Sequence, residues 1–136
     1  MSSLSRRSWL LVAAASAAVL GAAPALAQAW PARNITWIVP FPAGGGTDAF
    51  ARPLAAQLEQ QLGQRIILEN RAGAGGTVGA AAAAKATPDG YTFFVGAAHH
   101  TIAPALYPRL DYNIEKDFIP VAVIAQPPQV IVAHPE

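Results

Sequence analysis

Three segments of the chain carry residue types suited to chemistry, and in each the chemistry is binding rather than bond making. Phe41, Pro42, Ala43, Gly44, Gly45, Gly46, Thr47 and Asp48 form one glycine-rich run, and Gly73 to Thr77, with Gly75 and Gly76 inside it, form a second. Both open onto helical patterns. A loop of this kind presents bare backbone N–H groups at the positive end of a helix dipole, which suits a carboxylate or a phosphate. The third segment, Gly96 to Thr101, adds His99, His100 and the Thr101 hydroxyl. No nucleophile with a neighbouring base, no metal cluster and no Walker loop can be assembled from these residues, so neither an enzyme nor a cofactor or metal is expected.

The elements that position these segments read off in alternation. Ile35 to Val39 is rich in β-branched and aromatic residues without clean alternation, as in a strand covered on both faces. A helical pattern follows Gly46, with Phe50, Leu54, Leu58 and Leu62 four apart, and Gly63 is placed to close it. Pro53 inside this pattern implies either a kinked first turn or a regular helix starting only near Arg52. Arg65 to Glu69 reads as a second strand and Thr77 to Ala86 as a second helix with Thr77 as N-cap. Thr87 to Gly90 suits a type I turn into a third strand, Tyr91 to Val95. Two further apolar runs follow, Ile119 to Ala125 and Gln129 to Ala133, and the second reads as a strand.

Strand, helix, strand, helix, strand argues for a parallel sheet with right-handed crossovers. Ligands of such sheets sit beyond the carboxyl ends of the strands, and all three segments follow strands, so they are expected at one end. Each glycine loop alone could serve only as a tight turn; two at the same end favour binding. Asp48 could equally do no more than complement the helix dipole, Phe41 could be core, and His100 could simply bond a loop carbonyl. On an extended segment His99 and His100 would point opposite ways, which disfavours joint metal ligation. A rival reading is a dinucleotide fingerprint, since Gly44 to Ala49 fits G-x-G-x-x-A after a strand and Glu69 follows 25 residues on. Pro40, Pro42 and the Asp48 carboxylate oppose it.

Composition bounds the setting. The 136 residues suffice for one modest domain, not a two-lobed receptor. Residues 1–27 read as an export signal: Arg6 and Arg7 give the charged region, Trp9 to Leu20 the apolar one, and Ala25, Leu26 and Ala27 the cleavage site. Ser5 to Leu10 resembles a twin-arginine signal, and the Sec route is the alternative; either leads to the periplasm. Removing Arg6 and Arg7 from the nine basic residues leaves seven against eight acidic ones, a net charge of −1. Those seven are scattered, so no nucleic acid partner is expected. With no cysteine, stability must come from packing rather than disulfides. The last residues, His134 to Glu136, directly follow an apolar run, which reads as a fragment or a prematurely ended frame.

Val39 to Asp48, Glu69 to Gly76, Pro88 to Tyr91, Ile102 to Pro108 and Lys116 to Val121 together resemble the Bug family, the substrate-binding proteins of tripartite tricarboxylate transporters. The resemblance implies an α/β fold of the periplasmic-binding-protein-like (type II) parallel-sheet sandwich, here an incomplete first lobe. Residues 28–126 would belong to lobe one and 127–136 would start a hinge strand toward a second lobe. It further implies a receptor, monomeric at full length, that binds a small organic carboxylate for a membrane permease. Phe41 and Ala43 to Asp48 would hold the carboxylate through backbone amides and ordered water, with the Phe41 ring as cover. Gly75, Gly76, Thr77, His100 and Thr101 would form the facing wall. A half-cleft that binds nothing is the remaining alternative.

Overall fold

A computed structural model describes residues 29–127 and 131–133 of the chain. The export signal read over residues 1–27 therefore lies outside the described residues. Strand β1 (Ile35–Val39) is central, and β2 (Ile66–Asn70) and β3 (Thr92–Phe94) flank it in the order β2-β1-β3, both parallel to it. Ile35 pairs with Ile66, Val39 with Asn70 and Ile38 with Phe94. The α/β class with a parallel sheet is thus as expected.

Helix α1 (Gly46–Leu62) follows β1, and α2 (Thr77–Ala84) follows β2 through a 3₁₀ turn at Ala74–Gly76. Alternate side chains of β1, namely Ile35, Trp37 and Val39, bury against Ala51 and Ala55 of α1, with Leu54, Leu58 and Leu62 packed around them. Ile38, on the opposite face, is buried too, and α2 packs across β1 and β3. A strand covered on both faces cannot alternate polar and apolar residues.

Several boundaries differ from expectation. Helix α1 starts at Gly46, where the helical pattern begins, and runs through Pro53, so of the two readings of Pro53 the start near Arg52 does not hold. Ala49, whose carbonyl would otherwise bond to residue 53, and Pro53 itself are both exposed, so water can serve the freed carbonyl. Gly63 closes the helix as expected, left-handed at φ 67°, its N–H donating to Glu59 O at 3.0 Å. The N-cap of α2 is Gly76, not Thr77, because the Thr77 hydroxyl donates backwards to Ala74 O at 2.9 Å. At Thr87 to Gly90 the closing bond runs from Asp89 N–H to Thr87 O at 2.9 Å, a tighter bend than a type I turn.

The apolar run Ile119 to Ala125 forms no strand: 119–127 is irregular, and Ile119 is 90% exposed. Of the run Gln129 to Ala133, residues 131–133 are likewise irregular and exposed, and the rest lies outside the described residues. An apolar run becomes a strand only with a ladder partner, and the described sheet has three members.

Candidate functional site

The loop after β1 is organised around Asp48. Its carboxylate is almost fully buried and accepts from three directions: Gly44 N–H to Oδ2 at 2.8 Å, Arg52 Nε to Oδ2 at 2.6 Å and Asn70 Nδ2 to Oδ1 at 3.0 Å. The Arg52 guanidinium foremost, then the Gly44 amide and Asn70, hold its pKa down from 3.8 to about 2. Asn70, the last residue of β2, also donates to Phe41 O at 3.0 Å and thereby ties the end of one strand to the loop of the next. Sequence reasoning missed this; an asparagine ending the strand beside a glycine loop was the available signal.

Not every amide of the loop is free. Gly44 N–H serves Asp48, and Gly45 N–H donates to Pro42 O at 3.1 Å. The first intrahelical donor is Ala49, bonded to Gly45 O at 2.9 Å, so the N–H groups of Gly46, Thr47 and Asp48 precede the helical ladder. Asp48 is buried, so those at Gly46 and Thr47 are the donors open to an anion. Ala43 and Gly46 are exposed and Thr47 half-buried.

The second loop keeps a left-handed backbone through Ala74 at φ 43°, Gly75 at φ 63° and Gly76 at φ 91°. At Gly76 the need for glycine is twofold, because a Cβ there would also stand 3.0 Å from His100 Nε2 and 3.2 Å from His99 Nε2. Gly75 lies under the Tyr107 hydroxyl.

The third segment corrects an expectation. His99 and His100 are not extended but open helix α3 (His99–Leu106), so their rings do not diverge: the centroids are 4.0 Å apart. Consecutive helical residues are separated by about 100° rather than the 180° of a strand. His100 is buried, accepting from Ala97 N–H at Nδ1 (3.1 Å) and facing Gly76 O from Nε2 (3.4 Å). Burial, the larger influence, lowers its pKa below the usual 6.5. Phe41 stands edge-on to both rings, with centroids at 5.1 Å from His99 and 6.1 Å from His100. The Thr101 hydroxyl donates to Ala98 O at 2.6 Å.

Phe41 and Gly76 therefore each reach His100, one residue from each loop, at the carboxyl end of the sheet. Thr101 instead lines an open groove of about 440 Å³ with Tyr107, Tyr112 and Glu115, and Thr77 lines a smaller one with Arg109 and Asp111. The dinucleotide reading fails on this geometry, because Asp48 already takes the Gly44 amide that a pyrophosphate would need. Among the described residues there is no group of three or more His, Cys, Asp or Glu able to hold a metal, and no helix is long and apolar enough to cross a membrane.

A parallel α/β layer with glycine loops gathered at its carboxyl end places a ligand site at that end, and comparison supplies the family. Residues 50–136 match the family described as tripartite tricarboxylate transporter family receptor, and the chain belongs to it. It is 44% identical over 117 residues to protein BugT of Bordetella pertussis, covering 85% of this chain and 36% of that one. Among solved structures it is similar to MatC of Rhodopseudomonas palustris with bound malate (46% identity, TM-score 0.64, 70% of this chain and 33% of that one). A periplasmic transporter is also similar, at 44% identity and TM-score 0.60, over 62% of this chain and 29% of that one. The chain spans about a third of the length of these relatives.

Proposed function

We propose that this chain forms one wall of a periplasmic receptor site for a small organic carboxylate, delivered to the membrane permease of a tripartite transporter. The observation that carries the reading is the junction of Phe41, Gly76 and His100, beside the ladder-free amides of Gly46 and Thr47. Malate in the MatC relative supports the ligand class. In this reading Phe41 covers the ligand, the amides of Gly46 and Thr47 hold a carboxylate, and Gly75 to Thr77 with His100 and Thr101 form the opposite wall. Residues 1–27 direct export, 28–126 form part of the first lobe, and 127–136 lead toward a second. No chemistry on the ligand is involved.

The test is thermal unfolding across a panel of small carboxylates. A true ligand at a hundred times its Kd adds about 2.7 kcal/mol to stability. Gly45→Val, whose Cβ would crowd Pro42 O at 3.1 Å and distort the loop, is expected to abolish that gain, and Phe41→Ala only to reduce it. No shift with any carboxylate, or an unchanged response in Gly45→Val, contradicts the reading.

A further inference from the structure

Both ends of the first glycine loop are held by one side chain from a neighbouring strand. Asn70, at the end of β2, donates from Nδ2 to Phe41 O at 3.0 Å and to Asp48 Oδ1 at 3.0 Å, while its Oδ1 accepts from Arg52 Nη2 at 3.2 Å. Its neighbours fix which way the amide faces, because a carbonyl and an ionised carboxylate only accept and a guanidinium only donates. Both amide protons and the oxygen are thereby committed. The backbone beneath is anchored too: Asn70 is in register with Val39, and Arg71 N–H donates to Val39 O at 2.8 Å.

Phe41 and Asp48 bracket the loop, and the open amides of Gly46 and Thr47 lie between them. A loop that must be ordered when the ligand arrives loses affinity to that ordering, whereas one closed beforehand does not. A clasp on a rigid strand end is the kind of support that keeps binding groups in place.

We propose that Asn70 is a positioning residue of the carboxylate site: by closing the loop from Phe41 to Asp48 it holds the Phe41 cover and the Gly46 and Thr47 amides in the geometry that receives the ligand. This rests on the carboxylate-receptor reading and deepens it. Asn70 acts through Phe41 and Asp48 and touches no ligand itself.

The experiment titrates the isotope-labelled chain with malate, takes Kd from the Gly46 and Thr47 amide shifts, and measures the melting temperature alongside. Asn70→Asp keeps the shape, removes both donors and sets a second carboxylate against Asp48; it is expected to raise Kd about tenfold and to lower the melting temperature. Combining Asn70→Asp with Asp48→Asn restores the bond between positions 48 and 70 and keeps a negative charge beside Arg52, but leaves Phe41 O without its donor. The melting temperature is then expected to recover while Kd stays raised, a split that a merely structural role would not produce. An unchanged Kd in Asn70→Asp, or recovery of Kd together with melting temperature in the double variant, overturns the role of Asn70 and leaves the carboxylate reading standing. Gly46 and Thr47 amides that do not respond to malate in the unaltered chain overturn both. If the variants do not fold, the Asn70 Nδ2 protons of the unaltered chain decide: slow exchange with water is expected, and exchange as fast as that of a free asparagine overturns the clasp.

Discussion

The Gly44 N–H donates to the Asp48 carboxylate at 2.8 Å, so the first glycine loop already holds an anion, and that anion is its own. Arg52 and Asn70 complete the cage around it. The carboxylate that would repel a bound anion is thus neutralised and turned inward, and the donors that remain are one residue further into the helix, at Gly46 and Thr47.

Asp48 should therefore govern acid stability. Its folded pKa is depressed, so its contribution is present above the usual 3.8 and is lost as pH falls toward about 2. Thermal melts across that window are expected to show a fall in the unaltered chain. Asp48→Asn should start from a lower midpoint at neutral pH and lose this part of the pH dependence.

His100 acts in a different window. Burial favours its neutral form, so the unfolded chain binds the extra proton and stability declines as pH falls below the usual 6.5. His100→Gln is expected to flatten the decline in melting temperature between pH 7.5 and 5.5. It should also lower stability at pH 7.5, because the bonds to Ala97 and Gly76 are lost or misaligned.

The two glycine loops should tolerate alanine unequally. Gly76→Ala forces a left-handed backbone on a side chain that also meets His99 and His100, and is expected to destabilise by roughly 1–3 kcal/mol in denaturant unfolding. Gly46→Ala has open space and no positive φ, and is expected to stay within about 0.5 kcal/mol.

Much of this architecture was legible from local signals. Ile35 to Val39, the four-residue spacing of leucines up to Leu62, Gly63 as its stop, and glycine loops after two strands each follow from periodicity or backbone freedom alone. What escaped depends on tertiary partners. The start of α3 at His99 is hidden because the segment also contains Pro104, which argues against a helix. The cage around Asp48 needs Asn70, 22 residues away, and no spacing rule foretells that pairing. The run Ile119 to Ala125 is apolar yet forms no strand, because strand formation requires a neighbour with free backbone groups, which composition does not encode.

A crystal structure of the chain with malate tests the central claim most directly. One carboxylate is expected within about 3.2 Å of the Gly46 and Thr47 nitrogens, under the Phe41 ring. Malate bound instead in the groove lined by Thr101, Tyr107, Tyr112 and Glu115, with both loop amides unoccupied, would contradict it.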